Sequence, residues 1–127
     1  MYSLDRITDF QKEEESFSMP KEFDIHRYFE DAFGLVNDAS QPVERVVIRA
    51  FGTEADYIRD CPLHHSQTVL VSKKGYTDFE LHVRICLELQ GFILSRGNRV
   101  KVLQPLHFQK QIHDALLSSA ALYDDAE

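Results

Sequence analysis

The chain has 127 residues, 43% of them hydrophobic, nine phenylalanines and a net charge of −7, enough for one core-forming domain with an appendage. It has no run of 18 apolar residues, and "MYSLDRITDF" carries neither a basic start nor an apolar signal segment, so the sequence points to a cytoplasmic protein with no membrane partner. The acidic total argues against tight nonspecific binding to nucleic acid. Residues 45–104, however, hold nine basic and six acidic side chains between two acidic ends, which leaves room for a local basic surface.

The N-terminal "MYSLDRITDF" reads as a short amphipathic segment, and "QKEEESFSMPKEF" as an acidic linker broken by Pro20. In "DIHRYFEDAFG", residues Ile25, Tyr28, Phe29, Ala32 and Phe33 fall at the spacing of a helix with one buried face. Asp24 suits its start and Gly34 its end. After the loop "LVNDASQP" the period changes. "ERVVIRAFG" is a β-branched strand, and "TEADYIRDC" a helix with Thr53 as its cap, acids in its first turn and Arg59 in its last. "SQTVLVS" is a second strand and "KKGYTD" a turn. "FELHVRICLEL" alternates strictly, with Phe79, Leu81, Val83, Ile85 and Leu87 on one side and Glu80, His82, Arg84, Cys86 and Glu88 on the other. "LELQGFILSRG" is a helix, "NRVKVLQP" a fourth strand, and "LHFQKQIHDALLSSAALY" a last helix with Phe108, Ile112, Ala115, Leu116 and Ser119 along one side.

That order, with right-handed crossovers, predicts an α+β fold: the ferredoxin-like split βαβ arrangement, a four-stranded antiparallel sheet with helices on one face, plus an N-terminal and a C-terminal helix. The expected core is Val46, Ile48, Phe79, Leu81, Val83, Ile85 and Val100 with Ile58, Phe92, Ile112 and Leu116. Residues 1–43 would be an appendage and 44–127 the domain.

Three groups of side chains invite a chemical reading. Cys61, His64 and His65 lie within five residues, but a zinc site needs three or four ligands in tetrahedral reach. Cys61 is expected to pack on the helix beside Ile58, the two histidines to diverge, and the other cysteine, Cys86, to lie in a distant strand. The expectation is two free, mostly buried thiols, no metal, and no nucleophilic Cys–His pair. "AFGTEAD", at the first strand-to-helix loop, places two acids where an anion would sit, so no cofactor or catalytic residue is assigned there. The third group is the open side of the sheet. Arg45, Arg49 and Phe51 from the first strand, Glu80, His82 and Arg84 from the third and Lys101 from the fourth share one parity. Arg49, His82, Arg84 and Lys101 form the candidate face for an anionic ligand or single-stranded nucleic acid, or for an acidic surface such as residues 9–31.

The run of "YSLDRI", "MPKEFDIHRYFEDAFG", "VVIRAFGTEADYIRDCPLHHSQ" and "FELHVRICLELQGFILSRGNRVKVLQP" resembles the C-terminal part of WYL-domain transcriptional regulators. The resemblance implies a winged helix-turn-helix, then the WYL domain, an Sm-like β-barrel, then a ferredoxin-like C-terminal extension domain. "YSLDRI" would be the last barrel strand, and Tyr57, Arg59, Pro62, His65, Ser66 and Gln67 the helix-to-strand corner of the extension domain. The sequence contains no Trp and no helix-turn-helix, so the DNA-binding part and most of the barrel would belong to the remainder of a parent regulator. The implied function is noncatalytic: transcription regulation by ligand or nucleic-acid sensing, or by dimerisation as a homodimer. The alternative is a stand-alone small-molecule sensor of the same fold.

Overall fold

The computed structural model describes residues 3–124. Its helices are α1 (Ile25–Tyr28), α2 (Thr53–Asp60), α3 (Leu87–Ser95) and α4 (Leu106–Asp124), and its strands β1 (Val43–Phe51), β2 (Thr68–Lys73), β3 (Tyr76–Arg84) and β4 (Val100–Gln104). The strands form one antiparallel sheet in the order β2-β3-β1-β4, the split βαβ topology the element order predicts. The strands β1 and β3 are central, and β2 and β4 are edges.

One face of the sheet carries the core. Val46, Ile48 and Ala50 of β1, Phe79, Leu81 and Val83 of β3, and Val100 and Val102 of β4 pack with Ala55, Ile58, Leu89, Ile93, Phe108 and Ile112 of the helices. The strict alternation of β3 is the cause: every second residue is apolar, so one face buries and the other stays polar. Ile85 and Phe92 pack at the margin of this cluster. Leu116 does not join it, being 43% exposed; the buried residues of α4 are Phe108 and Ile112. Gly75, at φ 96°, occupies the left-handed region that the two-residue β2–β3 turn requires.

Three local expectations change. The N-terminal helix is a single turn, capped as expected by the Asp24 carboxylate, which accepts from the His26 and Arg27 amides at 2.9 and 3.4 Å. It stops at Tyr28 because the following backbone is used elsewhere: the Asp31 carbonyl accepts from the Arg84 amide at 3.0 Å, and the Glu88 carboxylate accepts from the Leu35 and Val36 amides at 3.2 and 2.7 Å. Ala32 is buried and Phe33 packs near Phe92, but Ile25 and Tyr28 are exposed. Helix α2 has Gly52 at its N-cap, not Thr53, which is its first residue. Near the N-terminus, Leu4–Arg6 forms one 3-10 turn where a barrel strand was expected, and Tyr2 of that segment lies outside the described residues.

A candidate recognition face on the open side of the sheet

The pairing register places Arg45, Arg49 and Phe51 of β1, Tyr76, Asp78, Glu80 and His82 of β3, Lys73 of β2 and Lys101 of β4 on the face away from the helices. Arg49 is held in place. Its Nε and Nη2 donate to the two oxygens of Asp78 at 2.7 and 2.9 Å, and its guanidinium lies 4.0 Å from the centre of the Tyr76 ring. The bidentate carboxylate raises the Arg49 pKa further. Next along the strands, Glu80 accepts from Arg45 Nε at 2.7 Å and meets His82 Nε2 at 2.8 Å, while Arg45 Nη1 donates to Gln104 at 2.6 Å. The His82 hydrogen bond, helped by Arg45, holds the Glu80 carboxyl below its usual range against the opposing effect of burial.

The four residues singled out in the sequence are therefore not equivalent. Arg49 and Lys101 face each other across β1 and β4. His82 lies opposite Arg45 on β3. Arg84, at the end of β3, turns to the N-terminal segment, where it donates to the Gln41 carbonyl and lies 3.8 Å from Asp31. Part of the acidic 9–31 segment thus meets this group inside the same chain. Lys101 has no carboxylate partner among the described residues. Asp78 and Tyr76 are absent from the predicted face because "KKGYTD" reads wholly as a turn, whereas β3 begins at Tyr76.

The Cys61–His65 corner is built differently from expectation. The His64 and His65 rings do not diverge: their centres are 4.0 Å apart, and each Nε2 donates to the Glu30 carbonyl, at 2.8 and 2.6 Å. With that tautomer His64 Nδ1 accepts, and the Ser66 hydroxyl lies 2.7 Å from it. Ser66 Oγ in turn accepts from the His82 amide at 2.9 Å. Burial and the adjacent His65 hold the His64 pKa below its ordinary value, against the Glu30 carbonyl and Asp31. Gln67 braces the turn, accepting from the Leu63 amide at 2.8 Å and donating to the Ile58 carbonyl at 2.9 Å. Both cysteines are free, but Cys61 is exposed, not packed. Among the described residues no three His, Cys, Asp or Glu side chains converge as metal ligands. The corner fastens the N-terminal segment to the domain.

Sequence reading also missed Glu54. It is buried at the start of α2 and lies 3.4 Å from Arg96 and 3.3 Å from Arg99, tying α2 to the turn after α3.

The family described as WCX domain matches residues 42–118. No curated protein matches the chain. Among solved structures, the proteasome accessory factor B/C (PafBC) of Arthrobacter aurescens is similar, with a TM-score of 0.51 and 22% identity over 89% of this chain. At that identity the likeness concerns the fold, and the chain spans 16% of the length of that protein. No described helix is long and apolar enough to cross a membrane.

Proposed function

This chain belongs to the WCX domain family, the C-terminal domain associated with WYL-type regulators, and from that premise we propose that it is the noncatalytic regulatory domain of a WYL-type DNA-binding transcription regulator. Residues 44–127 form the regulatory unit, and residues 1–43 connect it to the barrel and helix-turn-helix of the parent. Its open sheet face recognises an anionic partner, best fitted by the backbone of a single-stranded nucleic acid.

The observation that carries this reading is the charge and shape of the face. Arg45, Arg49, Lys73 and Lys101 share it with only Asp78 and Glu80 as carboxylates, and Tyr76 and Phe51 stand at one end. An open sheet face with cations and aromatic side chains suits a polymer that tracks across strands and stacks its bases. Arg49 keeps its second Nη free of Asp78, so the pair orients the guanidinium without using all of its donors. Arg84 serves the N-terminal segment, and His82 sets the position of Glu80.

Fluorescence anisotropy with a labelled single-stranded oligonucleotide tests this. Binding is expected at low salt, weakening as salt rises, and falling several-fold in Arg45→Ala and in Lys73→Ala, the latter with an unchanged melting temperature. An absence of binding at low salt would remove the nucleic-acid reading of the face.

A further inference from the structure

Two complementary surfaces of this chain are both left open. The first is the acidic segment Asp9–Phe17, with Glu13, Glu14 and Glu15 between two phenylalanines. Residues 3–28 are exposed throughout, Phe10 by 91% and Phe17 by 89%. The second is a groove of about 730 Å³ between edge strand β4 and helix α4, lined by the buried Val100, Val102 and Ile112 and the more exposed Leu116, with Lys101 and Lys110 also along it. Neither lysine has a carboxylate within ion-pair distance among the described residues; His113 lies 3.2 Å from Asp114.

We propose that this groove receives the Asp9–Phe17 segment of a second copy of the chain, each copy lending its arm to the other. An aromatic on either side of three consecutive glutamates matches an apolar groove that carries two lysines, both in charge and in hydrophobic character. The segment does not lie in its own groove. An arm and a groove that stay apart within one chain are free to exchange between two, and a reciprocal exchange closes a two-fold dimer with no surface left to propagate. This deepens the dimerisation part of the reading above and does not depend on the nucleic-acid part.

Sedimentation of the intact chain tests it. The wild type is expected to dimerise reversibly, less tightly at high salt. The groove variant Lys101→Glu/Lys110→Glu and the arm variant Glu13→Lys/Glu14→Lys/Glu15→Lys are each expected to raise the dimer Kd at least tenfold. All five residues are exposed, so both variants should melt like the wild type. The decisive arm is an equimolar mixture: acidic arm meets basic groove and basic arm meets acidic groove, so a heterodimer should form with near wild-type affinity. A monomeric wild type, a dimer insensitive to both variants, or a mixture that stays monomeric would each overturn the exchange. Arg45→Ala should weaken oligonucleotide binding and leave sedimentation unchanged. A monomeric chain that still binds oligonucleotide would remove the exchange and leave the regulatory reading in place.

Discussion

Arg49 and Asp78, neighbours on the two central strands, are joined by two parallel hydrogen bonds, and the Asp78 side chain is only 8% exposed. Removing the arginine leaves a largely buried carboxylate without its partner, which costs more than removing both groups. Arg49→Ala is therefore expected to lower the melting temperature, and Arg49→Ala/Asp78→Ala to recover part of the loss. Equal melting temperatures for the two variants would show that the pair is not a structural unit of the sheet.

The core prediction separates two leucines. Leu81 is fully buried on β3 whereas Leu116 is exposed on α4, so Leu81→Ala should cost about 2 to 5 kcal/mol and Leu116→Ala much less, at most about 1 kcal/mol, measured by urea unfolding of the monomer. A large loss at Leu116 would place α4 closer to the sheet than described.

Stability should fall on mild acidification through His64. Its folded pKa is depressed below the ordinary 6.5, first by burial and then by His65. The unfolded chain therefore binds the proton more readily, and the contribution present above about pH 6.5 is lost as pH falls below it towards the folded value. A proton on Nδ1 also opposes the Ser66 amide, which lies 3.2 Å away. The melting temperature of the wild type should drop between pH 7 and 5.5 more steeply than that of His64→Gln. Parallel pH profiles would assign the acid sensitivity to other groups.

Gly34 packs its backbone against the Glu88 carboxylate, and a Cβ there would collide with it. Gly34→Ala should displace Glu88 from the Leu35 and Val36 amides and loosen the backbone there, while the sheet and the contacts of His64, His65 and Arg84 with Glu30 and Asp31 stay in place. Amide hydrogen exchange would show faster exchange at Leu35 and Val36 with β1 and β3 still protected; unchanged exchange would mean that the carboxylate does not hold these two amides.

The sheet was legible because the β-branched run of β1 and the strict alternation of β3 are local properties, readable residue by residue, and the order of elements then limits the topology. The N-terminal helix was not. Residues 24–34 have helical spacing, but hydrogen bonds from Arg84, His64 and His65 claim the carbonyls of Glu30 and Asp31, and such partners lie more than thirty residues away in sequence. The candidate face was half legible: parity gathers Arg45, Arg49, His82 and Lys101 on one side, but which carboxylate meets which cation depends on register and on where β3 begins. That start, at Tyr76 within an apparent turn, decided the fate of Arg49. Arg84 shares the parity, yet its position at the strand end lets it reach the preceding segment.

The claim that this domain recognises an anionic strand across its open sheet face is tested most directly by amide chemical-shift mapping of the labelled chain with a short oligothymidylate. The largest shifts should fall on β1 and β4 around Arg45, Val47, Arg49 and Lys101 and extend to Tyr76, and they should disappear with added salt. Shifts confined to α2 and α3, or none at saturating oligonucleotide, would contradict it.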